Sequence, residues 1–148
     1  MRIRPLAESD AAQWLRMRCA LWPDASPAEL AGELSQYLPP TGRHATFVAE
    51  GDGGHVCGFI ELSLRDVAEG CASSPVGYIE GWYVDPEARR SGIGRALVRE
   101  GEAWARAKGC TEMASDTQLE NTGSEAAHVA LGYAVTERLV AFAKKLTT

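Results

Sequence analysis

Residues 83–97 read YVDPEARRSGIGRAL, a strand running through a turn directly into a helix, and the turn carries Arg89, Arg90, Ser91, Gly92, Ile93, Gly94 and Arg95. The first N–H groups of a helix have no partner within it and lie at the positive end of its dipole. Backbone alone can therefore hold an anion such as a pyrophosphate there. Gly92 and Gly94 would remove Cβ atoms from the path of that anion, and the three arginines would add charge. Taken alone, Gly-x-Gly at this place reads first as a helix start on a solvated basic surface. The Gly-Lys-Ser/Thr of a Walker loop and the third glycine of a dinucleotide fingerprint are both missing, so the nucleoside-triphosphate and dinucleotide readings lose ground.

A second set of chemical groups is acidic. Glu80 precedes the turn, Asp116 ends a later short strand and Glu137 lies near the C-terminus. Each alone reads as a solvated surface carboxylate. The whole chain has the same bias: of 148 residues, 20 are acidic and 15 basic, giving a net charge of −5. That balance argues against a nucleic-acid partner, which needs clustered Lys and Arg, and favours a cationic one. Cys19, Cys57, Cys71 and Cys110 are scattered without a Cys-x-x-Cys pair and read as reduced packing thiols. His44 and His55 have no neighbouring ligands, so no metal is expected. Without a signal-like opening or a long apolar run, no membrane association is expected and the expected location is cytoplasmic.

The elements that must position these groups follow from periodicity. Trp14, Leu15, Arg18, Cys19 and Leu21 recur at helical spacing and predict a helix over Ala11 to Leu21, stopped by Pro23. Ser26, Pro27 and Glu29 open a second helix as cap, first position and capping box. ATFVAE and VCGFIELSLR flank Gly51-Asp52-Gly53-Gly54 and predict a hairpin. YIEGWYV predicts a strand with Tyr78, Glu80, Trp82 and Val84 on one face. Ile93, Ala96, Leu97 and Trp104 mark the apolar face of a helix from Gly92 to Lys108, TEMASD is a short strand, and a helix spans Thr122 to Leu131. AVTERLVAFAKKL reads as a closing strand with Val135, Glu137, Leu139 and Ala141 on one side. The order implies one α/β domain over residues 1–148, a mixed central sheet with helices on both faces.

Arg89-x-x-Gly92-x-Gly94, preceded by YIEGWYV and Asp85-Pro86 and followed by TEMASD, Asn121 and ALGY, resembles the acetyl-CoA-binding motif of the Gcn5-related N-acetyltransferases. Leu21-Trp22-Pro23-Asp24, Glu80-Gly81, Cys110-Thr111-Glu112, Ala114-Ser115-Asp116 and Thr136-Glu137-Arg138 extend the likeness over almost the whole chain, to the aminoglycoside 6′-N-acetyltransferases of that superfamily. The resemblance implies that fold, acetyl transfer from acetyl-CoA to the 6′-amine of an aminoglycoside as an antibiotic-resistance activity, and a homodimer. It places Trp82, Tyr83, Val84, the Arg89 to Arg95 turn and Asn121 beside acetyl-CoA, and Trp22, Asp66, Glu80, Asp116 and Glu137 beside the substrate.

For catalysis the attacking amine must be neutral and the CoA thiolate must gain a proton. Glu80 is the leading acceptor of the amine proton and Asp116 the second, although both could be purely positioning groups. Where the superfamily often has a tyrosine as the thiolate's acid, this chain has His128, which is either a donor or a helix-packing residue; Tyr133 or solvent are the other sources of that proton. Asp66 stands where an aromatic residue is expected, so an ammonium contact would replace stacking on a sugar ring. The other readings are acetyl-CoA-dependent acetylation of another polyamine or a protein amine, and a non-catalytic binder of cationic ligands.

Overall fold

Positive φ angles of 84° and 83° at Gly53 and Gly54 turn the chain between two long strands, and the sheet is built outward from this hairpin. The computed structural model describes residues 1–147. In chain order the elements are β1 (Arg2–Pro5), α1 (Ala11–Leu21), α2 (Pro27–Gly32), β2 (His44–Glu50), β3 (Val56–Arg65), β4 (Val76–Val84), α3 (Ile93–Ala107), β5 (Met113–Ser115) and α4 (Thr122–Ala130). They form two compact units, one ending at Asp116 and holding the whole sheet with α1 to α3, the other beginning at Thr117 and holding α4.

The sheet runs in the order β1-β2-β3-β4-β5, antiparallel throughout except for β5, which lies parallel to β4. Helices cover both of its faces, as the sequence implied. On one face α1 brings Trp14 and Met17 against Val48 and Phe59, with Leu6 and Tyr37 completing a buried cluster. On the other, α3 packs over Ile60 and Leu62, and a Cβ on Gly101 would come within 2.9 Å of the Leu62 side chain. Ser26 Oγ accepts the Glu29 N–H and starts α2 where expected.

Four expectations are corrected. Arg2–Pro5, which the sequence reading left unassigned, is a strand whose residues pair with Phe47 to Glu50 of β2. The buried stripe of α3 is Ile93, Leu97, Gly101 and Ala105, with Val98; Ala96 and Trp104 flank it half-buried, because four-residue steps follow the helix face more closely than the pattern chosen. Residues 134–146, expected as the closing strand, form no strand among the described residues, because alternation supplies two faces but does not by itself build a ladder, and Val135, Leu139, Val140 and Phe142 are all exposed. The fourth correction concerns β4 itself and shapes the site.

Candidate active site

Along β3 and β4 the register is regular from Gly58↔Val84 to Glu61↔Gly81 and then resumes at Leu62↔Ile79, leaving Glu80 as the extra residue of a β-bulge. A bulge reverses the side-chain alternation. Tyr78 and Glu80 therefore share the α1 face with Gly81 and Tyr83, whereas Ile79 and Trp82 face α3; Tyr78, Glu80, Trp82 and Val84 do not form the single face that strict alternation predicts. β5 pairs with Gly77, Tyr78 and Ile79 only, while β4 continues to Val84, so the β5 side of β4 carries no ladder beyond Ile79 among the described residues.

Glu80 sits at the centre of a polar cluster. The Ser63 hydroxyl donates to its Oε2 at 2.5 Å, and Arg65 donates from Nε to Oε2 at 2.9 Å and from Nη2 to Oε1 at 2.8 Å. The Arg65 guanidinium carbon lies 3.5 Å from the centre of the Tyr78 ring. Tyr78 Oη in turn donates to Asp116 Oδ2 at 2.5 Å, and burial together with that carboxylate pushes the phenol's pKa well up, so it stays a donor. The structure thus brings Glu80 and Asp116 to opposite sides of one arginine and one tyrosine. Asp66 does not join them: it is 82% exposed and pairs with Arg43 Nη2 at 3.2 Å.

Trp22, at the end of α1, lies against this part of β4. Its ring centroid is 6.5 Å from that of Phe59, and the Arg18 guanidinium carbon is 5.0 Å from it. Arg18 is itself buried and forks onto Glu61 of β3, with Nε to Oε2 at 2.6 Å and Nη2 to Oε1 at 3.1 Å, while Trp14 Nε1 donates to the same Oε2 at 2.8 Å. The attraction of Glu61 and Glu33 outweighs the burial that would lower the Arg18 pKa, so the guanidinium stays charged.

The turn after β4 has the form an anion needs. Arg90 and Gly92 take φ of 64° and 87°, a left-handed conformation that costs little only at the glycine, and a Cβ on Gly92 would meet nothing within 4 Å. The first hydrogen bond of α3 at this end runs from Ala96 N–H to Gly92 O, which leaves the N–H groups of Ile93, Gly94 and Arg95 in the unpaired first turn. Gly94 has a different reason for being glycine: a Cβ there would stand 3.2 Å from the Trp82 ring, whose Nε1 donates to Gly94 O at 3.2 Å. Not all the charge of the turn points outward. Arg89 Nε is tied to Val84 O at 2.8 Å, and Ser91 Oγ to Ala88 O at 2.5 Å, so these two hold the loop's shape.

Asn121, His128 and Glu137 belong to the C-terminal unit. Asn121 caps α4 by accepting the Ser124 N–H at 3.0 Å. His128 Nδ1 lies 2.7 Å from Ser124 O; a carbonyl only accepts, so Nδ1 carries the proton of that contact. The His128 ring meets that of Tyr133 edge-on, with centroids 6.0 Å apart. Glu137 lies on the exposed segment after α4. Among the described residues no group of three or more His, Cys, Asp or Glu could hold a metal, and no helix is long and apolar enough to cross a membrane.

Sequence reasoning missed Ser63, Arg65 and Tyr78. Their only signal was their place at the ends of two strands, and that becomes informative once the register is known.

An open-edged strand leading through a glycine turn into the free N-terminus of a helix is the architecture of a CoA-dependent acyltransferase, and the chain belongs to the acetyltransferase (GNAT) family, whose model matches residues 10–133. It is 46% identical over 146 residues to aminoglycoside N(6′)-acetyltransferase type 1 of Klebsiella aerogenes, covering 97% of this chain and 96% of that one. It superposes with a TM-score of 0.90 and 36% identity on AAC(6′)-Iy in complex with the bisubstrate analog CoA-S-monomethyl-acetylneamine, over 98% of both chains. The corresponding enzyme AAC(6′)-IG of Acinetobacter haemolyticus superposes with a TM-score of 0.91 at 38% identity, covering 99% of this chain and 100% of that one.

Proposed function

We infer that this chain transfers the acetyl group of acetyl-CoA to the 6′-amine of an aminoglycoside, an activity that confers resistance to such antibiotics. The observation that carries the reading is likeness along the whole chain, 46% identity over 97% of it, to a protein named for that reaction. The chemistry of the site agrees. Aminoglycosides are polycations, and Glu80 and Asp116 present two carboxylates a strand apart, with the Trp22 indole as an apolar wall.

The residues present also fit the cosubstrate. The N–H groups at the start of α3, the open turn at Gly92, Arg90 and Arg95 would hold its pyrophosphate, and the unladdered edge of β4 from Trp82 to Val84 would hold its extended arm. Asn121 would contribute from the start of α4. When bound, acetyl-CoA supplies the activated acetyl group. The chain's own residues do the rest. Glu80 would orient the ammonium and take its proton, directly or through a water, with Asp116 assisting; backbone N–H groups of β4 would donate to the thioester oxygen; and His128, Tyr133 or solvent would supply the proton that the departing thiol needs. The exposed apolar side chains after α4 support a homodimer, and dependence on acetyl-CoA supports a cytoplasmic location.

Release of free thiol from acetyl-CoA tests the reading, with kanamycin and tobramycin, aminoglycosides lacking a 6′-amine, and spermidine as acceptors. Turnover confined to the 6′-amino compounds is expected. Spermidine exceeding every aminoglycoside would reassign the substrate.

A further inference from the structure

Glu80 carries the amine chemistry in the reading above, yet its carboxylate is already engaged. Arg65, the last residue of β3, forks onto both of its oxygens at 2.9 and 2.8 Å. The guanidinium carbon also lies over the Tyr78 ring, 3.5 Å from its centre, and the Tyr78 hydroxyl reaches Asp116. Arg65 therefore sits within the same acidic pair that a substrate ammonium must enter. Its side chain is 42% exposed and Glu80's is 23%, so the fork lies at the mouth of the site and can swing into solvent without uncovering the core.

We propose that Arg65 is an internal competitor for the substrate's ammonium group, occupying Glu80 until a polycation displaces it, and that it thereby sets the selectivity of the site. The proposal rests on the assignment of Glu80 to the substrate's amine. Three of the hydrogen bonds Glu80 accepts are accounted for, one from Ser63 and two from Arg65. That leaves about one of the four lone-pair sites of a carboxylate, so an ammonium that makes more than one contact with Glu80 takes over positions that Arg65 holds. A compound with one ammonium exchanges one charged contact for another and gains nothing. A compound with several gains further contacts, at Asp116 for instance, and wins the exchange. Arg65 also keeps the carboxylate in place while no substrate is bound, through the fixed geometry of the guanidinium fork. On the exposed rim the neighbouring pair Arg43–Asp66 has the same form, an arginine resting on an acid.

Calorimetric titration with kanamycin and with spermidine tests the proposal, comparing the unmodified protein with Arg65→Gln, Arg65→Ala and Arg65→Lys. Gln keeps much of the length and removes the charge. An exposed ion pair of this kind predicts that Arg65→Gln and Arg65→Ala bind kanamycin roughly two- to fivefold more tightly, with Arg65→Lys close to the unmodified protein. Spermidine, with fewer ammonium groups, should gain at least as much as kanamycin. Equal or weaker binding by Arg65→Gln overturns the proposal, and so does tightening in Arg65→Ala alone, which would make the effect steric. Acetylation of kanamycin by the unmodified protein, measured alongside, separates this from the functional reading. Turnover without tighter binding by Arg65→Gln defeats only the role of Arg65, and tighter binding without turnover defeats only the reaction. Absence of binding to every protein defeats both.

Discussion

Trp22 occupies the space that a side chain on Gly81 would need: a Cβ there would stand 2.7 Å from Cη2 of the indole. The residue after the Glu80 bulge is thus glycine so that the end of α1 can close over β4. The ring cannot retreat freely, because Arg18 lies 5.0 Å from its centre and Phe59 packs beside it. Gly81→Ala should lower stability by about 1–3 kcal/mol, the usual cost of overpacking, and raise the KM for kanamycin as the indole is pushed aside. Thermal unfolding and steady-state kinetics check both effects. Gly81→Ala should cost less in a Trp22→Ala background than in the native protein, because the clash is gone, while the KM should stay raised.

Glu80→Gln separates charge from shape. The amide keeps an acceptor for the Ser63 hydroxyl, 2.5 Å away in the native protein, and loses the ability to take a proton from the amine. A general base is worth about 10²- to 10⁴-fold, so kcat/KM for kanamycin should fall by about 10² or more, mainly in kcat. Asp116→Asn retains the contact with Tyr78 and should act chiefly on KM. A Glu80→Gln variant with full turnover would reduce Glu80 to a binding group.

Much of this site could be read in the sequence because it lies on strong local signals. The Gly92 turn, the Asn121 cap and the α1 boundaries depend on residues within a few positions of one another. The Glu80 bulge was not legible, since it is a property of the register between β3 and β4 and the segment joining them, from Asp66 to Pro75, does not fix that register. The role of Arg65 was hidden for the same reason. β1 was missed because Arg2–Pro5 has a charged, proline-ended sequence that is a strand only by virtue of the β2 edge. The opposite error fell on residues 134–146, where alternation was clear but no strand forms among the described residues.

The buried fork between Arg18 and Glu61 predicts an asymmetric stability effect. Arg18→Met leaves Glu61 without its main counter-charge at a fully buried position, which should cost about 3–5 kcal/mol. Changing both, to Met and Leu, removes the stranded carboxylate and should recover most of that loss, although Trp14 Nε1 then loses its acceptor. Urea unfolding of the two variants measures the difference.

Acid stability should depend on Asp10. Hydrogen bonds from Arg4 at 2.7 and 3.0 Å, helped by the Ala7 N–H, hold its pKa below the ordinary 3.8 against the opposing effect of burial. A depressed folded-state value contributes stability that is complete above the unfolded pKa and disappears as pH falls through the folded one. The contribution is therefore constant above about pH 5 and is lost below about pH 4, with the unfolded value near 3.8. Asp10→Asn should be less stable than the native protein at pH 7, and the difference should shrink as the pH approaches 2. A gap that stays constant with pH would show that Asp10 acts through packing instead.

The segment after α4 provides the test of self-association. Phe142 is 92% exposed and Leu146 90%, with Val135, Leu139 and Val140 also open to solvent. A run of exposed large apolar side chains is uncommon on a protein that stays monomeric. Its period-two pattern provides apolar side chains on both faces, Val135 and Leu139 on one and Val140 and Phe142 on the other, as a strand inserted between two layers would require. A second copy of the chain can supply a strand to pair with and cover both faces, and a two-fold pairing would satisfy both segments at once. Sedimentation should show a dimer for the native protein. Val140→Asp with Phe142→Asp should shift it to monomer, because two carboxylates would be buried without counter-charges. The monomeric variant should keep the far-ultraviolet spectrum of the native fold, since neither residue belongs to the core around the sheet.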